Sequence, residues 1–151
     1  MARSLQFAGT VTIEAPRAEV WKFLTDPHAV GQCAPGLESL EIIIPDKQFK
    51  AVAAIGFGSV SVKFNMNVEW LELDPPNRGK LKGRGSAPGS AVEGSSEMIL
   101  RDLPNGSTDM DWTADVVVFG TIASLASRLM GGLTRRLTGE FFNCVKAKIE
   151  G

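Results

Sequence analysis

The hydrophobic repeat of this sequence changes once, and that change restricts the folds open to it. From Leu37 to Val118 apolar residues recur at every second position, the repeat of a strand with one buried face. The clearest case is residues 58–71, where Val60, Val62, Phe64, Met66, Val68 and Trp70 alternate with Ser59, Ser61, Lys63, Asn65, Asn67 and Glu69. Strands are expected at 37–44, 47–56, 58–71, 78–86, 90–101 and 107–118. The intervening turns carry Pro45-Asp46, Asp74-Pro75-Pro76-Asn77, a Gly/Ser/Pro loop and Asn105-Gly106. After Phe119-Gly120 the repeat becomes helical: Ile122, Leu125, Leu129, Leu133, Leu137, Phe141, Val145 and Ile149 follow at three- or four-residue steps. This predicts one amphipathic helix of about 30 residues, ~45 Å long.

The segment before Leu37 adds a strand over 4–14 and two short helices. Pro16 suits the first position of a helix carrying Val20, Trp21, Phe23 and Leu24. Asp26 is expected to cap a second helix that opens on Pro27 and ends at Pro35-Gly36. Strands and helices are segregated along the chain, so the class is α+β. A sheet of about seven strands curls. The economical arrangement is a curved antiparallel sheet wrapped around the C-terminal helix, with the two short helices after the first strand. At 151 residues the chain suits a single domain spanning 1–151, large enough to need no disulfide or metal.

Composition bears mainly on what the chain does not do. Seventeen acidic residues against 16 basic ones give a formal charge of −1, which argues against a nucleic-acid partner. One His, no Tyr and two Cys exclude a His-rich metal centre, a four-Cys zinc site and a disulfide scaffold. Cys33 and Cys144 are read as two reduced, buried thiols. With no secretion signal and no membrane-length apolar run, this points to a cytoplasmic protein.

Gly is the compositional excess, 16 of 151 residues. The alternation puts Gly79, Leu81, Gly83 and Gly85 of one strand on the inner face, and Ser90, Val92, Gly94, Ser96, Met98 and Leu100 of its neighbour. Gly131, Gly132 and Gly139 fall in the long helix. Two packings account for these residues: a helix seated close on the sheet, or a cavity between them. A cavity lining would draw on Phe64, Met66, Trp70, Gly94, Met98, Trp112, Leu125, Leu129, Gly132 and Leu133. No ionisable residue is expected on the inner faces of these strands, so the occupant would be largely apolar.

Catalytic chemistry finds little support. His28 is the sole imidazole and stands in Asp26-Pro27-His28 with no patterned partner. Cys33 has no His in nucleophile-activating relation to it. Asp109, Asp111 and Asp115 alternate with apolar residues and are read as the solvated face of a strand. In the helical segment Arg128, Arg135, Arg136, Lys146 and Lys148 outnumber Glu140 and Glu150 by three, a solvated face or a weak attraction to an anionic membrane surface.

The run Phe7-x-Gly9 … Ile13-x-Ala15-Pro16-x-x-x-Val20-Trp21-x-Phe23-Leu24-x-Asp26-Pro27 … Cys33-x-Pro35-Gly36 resembles the carbon monoxide dehydrogenase G-subunit family (CoxG), within the START-like, polyketide-cyclase-like superfamily. Leu73-Asp74-Pro75-Pro76-Asn77-Arg78, Gly83-x-Gly85, Leu125-x-Ser127-Arg128-Leu129 and Glu140-Phe141-Phe142 extend the likeness over nearly the whole chain. The resemblance implies a helix-grip fold with a cavity between sheet and helix. It further implies association with molybdenum-containing CO dehydrogenases, recruitment of such enzymes to the inner face of the cytoplasmic membrane, and a quinone or similar isoprenoid lipid as cavity ligand, with no covalent cofactor. The expectation is therefore a non-catalytic hydrophobic-ligand carrier. The alternatives are a polyketide cyclase or dehydratase, and an assembly or adaptor protein without ligand.

Overall fold

The computed structural model describes residues 2–57 and 59–151, with side chains described outside 2–3, 57, 125–131 and 133. The chain runs β1 (Ala2–Ile13), α1 (Arg17–Thr25), α2 (Pro27–Gly31), β2 (Leu37–Ile44), β3 (Gln48–Phe57), β4 (Val60–Asp74), β5 (Arg78–Ala87), β6 (Ser90–Asp102), β7 (Thr108–Gly120) and α3 (Thr121–Glu150). The expected class holds: an α+β fold in which α3 lies along a curved, seven-stranded antiparallel sheet. Strands β2 to β7 meander in chain order and β1 closes beside β7, giving β1-β7-β6-β5-β4-β3-β2. Register shifts in β2 and at Trp70/Glu72 of β4 are bulges, which bend and twist a strand locally.

The start of α1 differs from the sequence expectation by one residue. Pro16 is the N-cap rather than the first helical residue, and its carbonyl accepts from the Glu19 and Val20 amides. Asp26 caps α2 as expected, accepting from the His28 and Ala29 amides at 3.0 and 3.4 Å. The change of repeat falls at Gly120, where φ is 81° and an added Cβ would run into the Gly89 carbonyl. Only glycine takes that turn without strain, so strand passes to helix in one residue.

The two cysteines depart from the expectation of free thiols. Cys33 and Cys144, 111 residues apart, form a disulfide with Cα atoms 5.4 Å apart. Hydrophobic patterning reports only that each is inward-facing. That the turn after α2 meets the last third of α3 is a tertiary fact.

The interior has two clusters. Ile13, Ala15, Val20, Leu24, Cys33, Leu100, Met110 and Val145 form one, drawn from β1, α1, β6, β7 and the C-terminal part of α3. Phe64, Val118, Ile122 and Ala123 form the other, around the first turn of α3.

Candidate functional site: an apolar chamber

Between the two clusters lies a chamber of about 380 Å³. That volume falls within the roughly 300–1,000 Å³ of small-molecule sites. The sheet supplies the floor, where Gly79, Leu81, Ser96, Met98, Trp112 and Ala114 lie in register on one face of β5, β6 and β7. Phe49 of β3, Trp70 of β4 and Met110 of β7 extend it. Leu24 and Thr25 of α1 and Pro27 and Val30 of α2 make one wall. Leu137, Thr138, Phe141 and Phe142 of α3 make the roof. The Trp112 and Phe142 rings stand 5.7 Å apart, and Phe141 meets Phe142 edge-on at 5.0 Å. Such tilted and edge-on pairs fix ring positions more firmly than area burial alone.

No ionisable side chain is among the described residues that line it. Of the three hydroxyls, Thr25 donates to the Trp21 carbonyl at 2.8 Å and Ser96 to the Thr113 carbonyl at 2.9 Å. Among the described residues, the groups with displaced pKa lie on the outer face of the sheet. A hydrogen bond from Arg101, seconded by one from Thr10, holds the Asp111 carboxyl below the usual carboxylate range. The Arg78 guanidinium is raised by its hydrogen bond to Glu97, and that of Arg101 by its hydrogen bond to Asp111. Asp109 accepts from Thr12 at 2.6 Å on the same outer face. Among the described residues no cluster of His, Cys, Asp and Glu has the makings of a metal site. Among them, too, no helix is long and apolar enough to cross a membrane.

The ten residues expected to line a cavity are sorted by this geometry. Trp70, Met98 and Trp112 line the chamber. Phe64 and Met66 do not: Phe64 is buried in the second cluster and Met66 packs against it. Both share the inner face of β4 with Trp70, but they lie further along the strand, under the start of α3. Gly94 also lies outside the chamber. It pairs with Gly83 and Val116, and an added Cβ would stand 3.1 Å from the Asp115 carbonyl, so backbone rather than empty space sits beside it. Gly85 is covered by the Met66 thioether. Gly132 is solvent-exposed with nothing within 4 Å of an added Cβ, so it neither lines the chamber nor permits a close approach. The side chains of Leu125, Leu129 and Leu133 lie outside the described residues.

The sequence reading missed two groups. Phe49 shares the inner-face parity of Ala51 and Ala53, and Leu137 and Phe141 belong to the same helical stripe as Leu125. The repeat could have found these three. The α1–α2 wall carries no such signal, because periodicity gives a helix a buried face without saying which strands it meets.

The comparisons agree with this architecture. The family model for the carbon monoxide dehydrogenase G-subunit (CoxG) matches residues 9–150. A conserved protein from Geobacillus kaustophilus is similar in structure, with a TM-score of 0.88 at 27% identity, 97% of this chain covered and 95% of that one. The Zhui aromatase/cyclase from Streptomyces sp. R1128 aligns with a TM-score of 0.74 at 19% identity, covering 98% and 94% of the two chains. A Rhizobium leguminosarum protein aligns at 0.70 and 18% identity over 99% and 97%. At such low identity these last two likenesses speak for the fold alone. No protein of curated function matches the sequence. With the family model covering nearly the whole chain and the same helix-grip architecture in its structural neighbours, this chain belongs to the CoxG family.

Proposed function

We propose that the protein is a non-catalytic carrier that holds an apolar small molecule, a quinone or similar isoprenoid lipid, in the chamber beneath α3. The observation that carries this reading is the chamber lining: aromatic, aliphatic and thioether side chains with three hydroxyls and, among the described residues, no ionisable group. Transferring an alkyl or prenyl tail from water into such a space contributes about 0.8 kcal/mol per CH₂, so the tail can supply most of the affinity. Proton transfer needs a positioned acid or base, and the lining offers neither. Membership of the CoxG family supports a role in coupling a molybdenum-containing CO dehydrogenase-type enzyme to the membrane. The exposed Arg135 and Arg136 of α3 support contact with an anionic surface.

Organic extraction of the purified protein followed by mass spectrometry tests the carrier role, together with uptake of an added prenylated quinone. Ala114→Leu places a branched side chain on the chamber floor. It is expected to lower uptake tenfold or more, equivalent to about 1.4 kcal/mol, while unfolding stability stays within roughly 1–2 kcal/mol of the parent. A parent protein that carries no lipid and takes up no quinone would sink the proposal. Sedimentation with anionic vesicles, weakening as salt is added, tests the membrane contact.

A further inference from the structure

The chamber does not end at α1 and α2. Thr25, Pro27, Phe49 and Trp70 also line a second space of about 410 Å³, a groove between the α1–α2 corner and the β2–β3 hairpin. The two spaces share these four residues and therefore adjoin. Their chemistry differs. In the chamber the Thr25 and Ser96 hydroxyl hydrogens are engaged by backbone carbonyls, which leaves Thr138 and the indole N–H groups of Trp70 and Trp112 as the side-chain donors among its described lining. The groove brings in Lys22, Lys47 and Gln48, which bear N–H donors, together with Asp26 and Asp46, whose two carboxylates balance the two ammonium charges. Lys22 has no ion-pair or hydrogen-bond partner among the described residues, and Lys47 is only loosely held, 3.5 Å from Glu69 and 59% exposed. The other side of the groove is apolar: Ile42 and Ile44 are 37% and 45% exposed at the edge of the sheet.

We propose that this groove seats the polar head of the ligand whose tail fills the chamber, and that Phe49 and Trp70 form the neck between them. The inference rests on the reading of the chamber as a ligand site and adds the ligand's orientation and class. The ligand is elongated, with an apolar tail and a small uncharged head bearing hydrogen-bond acceptors such as ring carbonyls. A carbonyl taken into the chamber would give up its water donors for few replacements, whereas in the groove Lys22 and Lys47 can donate to it. The tail gains most where the walls are apolar, which is the chamber. The exposed isoleucines give it an apolar path inward.

The three tryptophans make the orientation measurable. Trp21 lines the groove but not the chamber, Trp112 lines the chamber but not the groove, and Trp70 lines both. Decyl-benzoquinone is the probe, because its ring both accepts hydrogen bonds and quenches indole fluorescence. In the W70F/W112F variant, which retains Trp21, quenching should be several-fold stronger than in W21F/W70F, which retains Trp112. Separately, K22M/K47M should weaken decyl-benzoquinone binding about tenfold, the scale of a hydrogen bond to a charged donor, while leaving uptake of n-dodecane unchanged. These lysines are on the surface, so this arm does not depend on the tryptophan variants folding. Stronger quenching of Trp112 than of Trp21, or quinone affinity unchanged in K22M/K47M, overturns the head-out orientation and leaves the carrier reading standing. Failure of the parent protein to bind either probe overturns both.

Discussion

Ile13 and Ile122 are both buried isoleucines, yet they sit in two kinds of interior. Ile13 is fully enclosed, in a cluster to which β1, α1, β6, β7 and the C-terminal part of α3 all contribute. The Cys33–Cys144 disulfide is anchored in the same region. Ile122 lies on the first turn of α3 against Phe64 and Val118, with no covalent tie beside it. The chamber borders both: Leu24 and Met110 of its lining belong to the first cluster, and Leu137 packs against the second. The cavity is thus not simply the imprint of small residues. On the inner face Gly79 is covered by Met98 and Trp70, Gly85 by Met66, and Gly94 stands against the Asp115 carbonyl, whereas Ser96 and Ala114 floor a space that larger side chains fail to fill. The chamber lies between these two packed clusters.

The strongest way to break this contrast is to remove the covalent tie. Cys33→Ser with Cys144→Ser opens a loop of 111 residues, and chain entropy alone predicts a loss of about 4–5 kcal/mol. Denaturant unfolding reads it, and a midpoint unmoved by the double substitution would show that the first cluster stands without its tie. Next in size are two matched truncations. Ile13→Ala should cost about 4 kcal/mol, because a site enclosed from every side cannot collapse, and Ile122→Ala about 2 kcal/mol, because the first turn of a helix can settle into the gap. Equal costs would erase the distinction between the two ends. The smallest effect lies outside both clusters. The folded-state pKa of Asp111 is lowered, so its pairing with Arg101 stabilises the protein above the unfolded-state pKa near 4 and is lost as pH falls through the folded value. Asp111→Asn should therefore flatten the acid limb of a stability–pH curve slightly and leave chamber binding unchanged. An altered affinity for quinone would mean that the outer face communicates with the chamber.

Much of this is legible in the sequence because both repeats report burial locally. Alternation over 58–71 places Trp70 inward, and the alternating strands likewise place Met98 and Trp112. Parity, however, gives a face and not a position along it. Phe64 and Met66 share the face of Trp70 and belong to a packed cluster instead. The same limit favours the N-terminal half of the long helix, while Leu137, Thr138, Phe141 and Phe142, nearer its other end, roof the chamber. Gly132 is a fair candidate on composition, but exposure depends on the rotation of the helix against the sheet, which a glycine does not reveal.

The α+β class, the element order, the capping of α2 by Asp26 and the turn at Gly120 are local properties of the chain. Each of these follows from residues within a few positions of one another, acting through backbone sterics, local hydrogen bonds and the burial period. The meeting of Cys33 with Cys144, the α1–α2 wall of the chamber and the groove beside the β2–β3 hairpin arise only in the folded chain. These depend on sheet curvature and on how far α3 is held from the sheet. Both are set by the packed volumes of many distant side chains at once, and no local window of sequence contains that information.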